Sequence, residues 1–225
     1  MSKFLRFSSL TKKFIMAFAG AFLMVFMVVH LGINLFIIPI TDNHQDIFRE
    51  AVYFMINNPL VKIMEIFLFG GFILHIILGL ILQIQNWMAR PVRYKKEGWS
   101  HTSVFSKFMI HTGIVIGIFL VIHMANFYFV KLGITSPPEG IARVVDDHDF
   151  YSMAYNLFSN NTYSIIYIVL FVFLGFHLNH AFQSAFQSFG LDHSKYTPFL
   201  KAFGDLYSIL IPLGFSMIPL YFLIY

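Results

Sequence analysis

Four histidines, His30, His75, His123 and His177, lie one each in four long apolar stretches of a 225-residue chain. An ionisable side chain at such a position in a membrane segment faces the protein interior and has a partner there. Two chemistries suit a set of four imidazoles: metal ligation through the ring nitrogens, and a proton relay. A hydrogen bond to a neighbouring helix is the structural alternative for any one of them. The chain has no cysteine, which excludes disulfides, iron–sulfur ligation, thiolate catalysis and thioether attachment of haem. A metal would be held by nitrogen or oxygen.

The elements that must position these residues are membrane spans. With 58% hydrophobic and 12% charged residues and a mean hydropathy of +0.72, the composition is that of an integral membrane protein rather than a soluble domain. About 20 apolar residues cross a bilayer, and five segments qualify: 14–38, 62–85, 107–130, 163–187 and 203–224. The first follows Lys3, Arg6, Lys12 and Lys13, is too long for a signal-peptide core, and reads as a retained span.

Charge segregates by loop. The amino-terminal tail, the 86–106 loop (Arg90, Arg93, Lys95 and Lys96 against Glu97) and the 188–202 loop (Lys195, Lys201) are basic. The alternate loops carry Asp42, Asp46 and Glu50, then Glu139, Asp146, Asp147 and Asp149. The positive-inside rule therefore puts the amino terminus inside and Tyr225 outside. The net charge of +4 is thus explained by topology and implies no nucleic-acid partner; the partner is the lipid bilayer.

In the outside loops, Ile47–Asn57 places Phe48, Ala51, Val52 and Met55 at helical spacing before a break at Asn58-Pro59. After Ser136-Pro137-Pro138 the pattern recurs in Phe150, Met153, Ala154 and Leu157. Both read as short interfacial helices over the outer end of the bundle. With no exact repeat and no linker, the expectation is one all-α domain over 1–225, an integral five-helix transmembrane bundle.

Helical rise converts sequence position into depth. His30 comes about 9 residues before Pro39 and His123 about 8 before Lys131, so both lie roughly 12–14 Å below the outer surface. His75 follows Lys62 by about 13 residues and His177 follows Asn161 by about 16, so both lie roughly 20–24 Å down. The histidines fall into an outer pair on spans one and three and an inner pair on spans two and four, separated by roughly 8–10 Å. Two imidazoles facing across a bundle core suit bis-imidazole ligation of haem iron, and two levels imply two haems. Gly71 and Gly79, four residues either side of His75, and Gly113 and Gly117 on span three would leave room for a ring, or allow close helix packing.

Other residues have weaker claims. His111 and His180, near the inner ends of their spans, are candidates for haem propionates or for snorkelling to the interface. His44, His101, His148 and His193 lie in loops and read as solvated. Glu65, the acid well inside a span, sits near the level of the outer pair and suits either proton handling at a quinone site or capping of the span. Asn34 and Asn126, one turn from His30 and His123, would line the same region or bond between helices. Asp205 reads as interfacial.

The ordered set MVVHLGINLF, FREAVYFMINNP, IMEIFLFGGFILH, HTGIVIGIFLVIH and GFHLNHAFQSAFQ resembles, over nearly the whole chain, the dihaem cytochrome b subunit of succinate:quinone oxidoreductases. The resemblance implies two haems b, on His30 with His123 and on His75 with His177. It implies an anchor in the cytoplasmic membrane that binds flavoprotein and iron–sulfur subunits on the inside face, within a complex that can form higher oligomers. Electrons from succinate would reach a quinone, commonly menaquinone, often placed near the outer haem. Some menaquinol-oxidising fumarate reductases of this family carry a glutamate two residues before the ligand on span four; here that position is Gly175, which favours succinate oxidation over fumarate reduction. A haem-free histidine relay for metal or protons, and the cytochrome b anchor of a hydrogenase or formate dehydrogenase, are the alternatives.

Overall fold

The structure, a computed structural model, describes residues 8–88, 108–191 and 193–225. Lys3, Arg6, Arg90, Arg93, Lys95, Lys96, Glu97 and His101 lie outside the described residues. Those described form helices and no strand: α1 (Ser9–Asn34), a 3-10 turn (Leu35–Ile37), α2 (His44–Asn57), α3 (Pro59–Met88), α4 (Met109–Asn126), α5 (Tyr128–Lys131), α6 (Phe150–Ser159), α7 (Asn161–Ser188) and α8 (Thr197–Ile224).

Five stretches, Leu10–Ile37, Pro59–Met88, Met109–Lys131, Asn161–Ser188 and Thr197–Ile224, are long and apolar enough to cross a membrane. The chain is a multi-pass membrane protein built as a five-helix bundle. Several spans outrun the apolar segments that announce them, because polar caps carry the helices further. Ser8 accepts from the Thr11 N–H, Asn58 from those of Leu60 and Val61 ahead of α3, and Asn160 from that of Thr162. Proline in the first turn of α3 and α8 continues the same logic.

Two crossings are not single uninterrupted helices. The first tightens into the 3-10 turn before Pro39. The third breaks at Phe127 (φ −133°, ψ −67°), where Thr135 Oγ1 donates at 2.6 Å to the Ala125 carbonyl that the break exposes.

Packing arranges α1, α3, α4 and α7 as a square. α1 packs against α3 and α7, α4 packs against α7, and α3 and α4 make the slightest of the four edges. α1 and α4 stand on one diagonal, α3 and α7 on the other. α8 lies outside the square against α7 and α1, in the most extensive helix–helix seam of the molecule. Small residues make that seam close: a Cβ on Gly204 would come within 2.6 Å of Phe182, and one on Gly214 within 2.7 Å of Leu31. The buried core accordingly draws mainly on α1, α6, α7 and α8, whereas α3 contributes Leu78 and Leu82.

α2, α6 and the 3-10 turn pack together over one end of the bundle, the capped end. The two short helices differ. α2 buries Phe48 alone and lies at the surface, as an interfacial helix should. α6 is packed more deeply: seven of its ten residues are buried, because it packs against both α7 and α8. Asn156 on α6 pins the preceding loop, its Nδ2 donating to the Pro138 and Ala142 carbonyls while its Oδ1 accepts from the Ala142 N–H. His44 is not simply solvated either; its Nδ1 donates to the Phe36 carbonyl at 3.0 Å and its ring lies 6.0 Å from that of Tyr151.

Candidate functional site

The imidazoles meet inside the square. His30 of α1 and His123 of α4 stand with ring centroids 5.8 Å apart and planes at 88°. His75 of α3 and His177 of α7 stand 6.3 Å apart with planes at 75°. Each pair crosses a diagonal, so imidazoles connect helices that are not edge neighbours. These are the two pairs that height along the helices selects.

The spacing can be tested against a shared metal. Two metal–nitrogen bonds of about 2 Å, with about 1 Å from each nitrogen to its ring centre, place the two centroids about 6 Å apart. Both pairs fit. Buried side-chain polar atoms left without a hydrogen bond are, among the described residues, Nδ1 of His75 and Nδ1 of His123.

The surroundings of the pairs differ. Near the capped end the rings sit among aromatics. Phe26 stacks on His30 at 5.1 Å and Phe215 lies 5.6 Å away, while Phe119, Phe127 and Tyr167 lie 5.1–6.4 Å from His123. Asn34 Nδ2 donates to the His30 carbonyl at 2.7 Å and comes within 3.3 Å of His30 Nδ1. Asn34 is thus a local cap on the last turn of α1. Asn126 Nδ2 donates to the hydroxyl of Tyr167, a residue only 1% exposed, and ties α4 to α7.

Around the far pair the constraints come from backbone and a hydroxyl. A Cβ on Gly20 of α1 would lie 3.4 Å from His75 Cε1, and one on Gly113 of α4 3.6 Å from His177 Cε1. Each glycine lets a helix backbone approach the Nδ1 edge of an imidazole on the adjacent helix. The His75 ring also faces the Met16 backbone, short of hydrogen-bond geometry. His177 Nδ1 lies 3.3 Å from Thr112 Oγ1.

The four glycines singled out by spacing divide into two kinds. Gly71 serves helix packing, its position facing Phe22 and Leu23 of α1, and Gly113 faces His177. Gly79 and Gly117 have no atom within 4 Å of a would-be Cβ.

Glu65 does not stand alone. Beyond the break at Phe127, Tyr128 donates its hydroxyl to Glu65 Oε1, and Lys131 Nζ pairs with Glu65 Oε2 at 3.4 Å. Phe69 lies 4.8 Å from the Tyr128 ring, so the loose edge is clasped at the capped end. His111 is exposed beside Phe108, and half-buried His180 is near enough to interact electrostatically with His177. Asp205 is exposed and accepts from Asn179 Nδ2 at 2.6 Å.

Three contributors are missed by reading the sequence alone. Lys12, counted with the basic tail, is 3% exposed and donates to Gln85 Oε1 across α1 and α3. Its spacing of about two turns from buried Ala19 is the signal that would have found it. Thr112 and Gly20 carry no comparable signal, because each matters through a histidine on another helix. The chain matches no family model, no curated protein and no solved structure.

Proposed function

We propose that the chain is the membrane anchor and dihaem cytochrome b subunit of a succinate dehydrogenase, serving electron transfer from an iron–sulfur subunit to a quinone, with menaquinone the expected species. The observation that carries this reading is the stacking of two diagonal imidazole pairs inside one membrane square, each at the spacing a shared metal requires.

Under this reading His30 with His123, and His75 with His177, each hold a haem b, which supplies one-electron redox chemistry within the membrane. The protein's own contribution is orientation and exclusion of water. Phe26, Phe119, Phe127 and Phe215 wall the cap-side rings, and the open positions at Gly79 and Gly117 leave space beside the far pair. Glu65, steadied by Tyr128 and Lys131, is the ionisable group at the capped end able to exchange a proton with a quinone. Asn34 and Asn126 are occupied by hydrogen bonds within and between helices. The capped, acidic end faces outside, and the flavoprotein and iron–sulfur subunits dock at the opposite end of the anchor, in the cytoplasmic membrane.

The position two residues before His177 bears on direction. A Cβ on Gly175 would lie 3.1 Å from the Ser208 carbonyl of α8 and 3.4 Å from Pro212. The α7–α8 seam therefore has no room for a carboxylate there, which supports succinate oxidation over a fumarate reductase working with a transmembrane proton route.

A reduced-minus-oxidised spectrum of the purified chain, with a pyridine haemochrome count, tests the proposal. Two protohaems per chain are expected. A chain without haem absorbance would sink the reading and leave the histidine relay; absence of a copurifying flavin subunit from a dihaem preparation would point to a hydrogenase or formate dehydrogenase anchor instead.

A further inference from the structure

Thr112 is 8% exposed on the buried side of α4, and its hydroxyl has one proton. That proton is directed to the Met109 carbonyl, three residues earlier, at 2.9 Å. The oxygen is left with lone pairs, and His177 Nδ1 lies 3.3 Å from it. With its own proton used, Thr112 accepts at this contact, so the proton of the bond comes from the histidine. We infer that Thr112 is a positioning residue that fixes His177 with hydrogen on Nδ1 and a free lone pair on Nε2, the nitrogen a haem iron would take.

The inference rests on the haem-binding reading for its consequence, and on the hydrogen-bond geometry for its direction. A donor at Nδ1 that is itself accepted by an oxygen makes the ring a stronger electron donor through Nε2. Gly113, next in sequence, lets the α4 backbone come close enough for the threonine to reach. His75 has no hydroxyl at its Nδ1, which faces the Met16 backbone short of hydrogen-bond geometry. The far pair is therefore asymmetric, with one imidazole held by a hydroxyl and the other packed beside the backbone at Gly20 and Met16.

Potentiometric titration of the holo-complex tests this with two variants. Thr112→Val keeps the shape and removes the hydroxyl; Thr112→Ser keeps the hydroxyl. The expected result is that Thr112→Val raises the midpoint potential of one haem, leaves the other unchanged, and that Thr112→Ser restores the wild-type value. Unchanged potentials for both haems in Thr112→Val would overturn the inference while leaving the dihaem reading intact. If Thr112→Val loses the far haem, Thr112→Ser must retain it at the wild-type potential; a serine variant that also loses it, or that titrates like the valine variant, overturns the inference. A wild-type complex without haem would instead remove the reading beneath it.

Discussion

The two histidine pairs share a diagonal placement and differ in what holds their rings. Near the capped end the constraint is aromatic bulk, with Phe26 stacked on His30 and Phe127 against His123. At the far pair it is close backbone at Gly20 and Gly113, plus one hydroxyl at Thr112. Stacking fixes the plane of an imidazole and leaves its tautomer open, whereas a hydrogen bond at Nδ1 fixes both. The lower pair offers one Nδ1 an acceptor, Thr112 Oγ1, whereas the cap-side pair offers one Nδ1 a donor, Asn34 Nδ2, and is better enclosed by aromatic rings.

The comparison breaks first at the paired histidines. Under the dihaem proposal, His177→Ala should lower the haem content from two per chain to one and leave the cap-side spectrum unaltered, read by pyridine haemochrome. A count that stays at two, or falls to zero with the protein folded, would refute the diagonal assignment. The next largest effect is expected at Gly20. A leucine there would drive into His75, so Gly20→Leu should lose the far haem, while Gly117→Leu, with no atom near its Cβ, should keep both. Equal behaviour of the two variants would show that backbone approach does not set the lower pair.

Smaller effects distinguish walls from clasps. Tyr167→Phe removes the acceptor of Asn126 Nδ2 and should cost roughly 1 kcal/mol, with both haems retained. Thermal unfolding in detergent measures it, and an accompanying change confined to the cap-side haem would tie this bond to His123. Lys131→Gln should be the mildest, at under about 1 kcal/mol, because the Glu65–Lys131 pair is only partly buried. A loss of several kcal/mol would mean that the clasp, rather than the core around α7, holds α4 in the square.

Height was legible in the sequence and azimuth was not. Because every residue adds a fixed rise, His30 and His123 can be levelled from Pro39 and Lys131 without knowing how helices pack. The same arithmetic cannot say that Gly20 faces His75, or that Thr112 reaches His177, because rotation of one helix against another is set by side chains distributed along both. The break at Phe127 was invisible for a related reason: Asn126-Phe127-Tyr128 contains neither glycine nor proline, and the exposed Ala125 carbonyl is satisfied by Thr135, ten residues further on. The burial of α6 was hidden likewise, since helical spacing looks alike whether a helix lies on lipid or under two neighbours.

The Glu65–Lys131 pair has a consequence for how such a chain enters a bilayer. Glu65 stands at the start of the second crossing and Lys131 at the end of the third, so the two charges meet at the open end of a helical hairpin. A charged side chain at the centre of a membrane helix costs about 2.5–3.5 kcal/mol on insertion. Nearer the interface the cost is smaller, and pairing reduces it further. The expected unit of insertion is therefore the hairpin, with α3 and α4 delivered to the bilayer together and the loose edge between them already joined at one end.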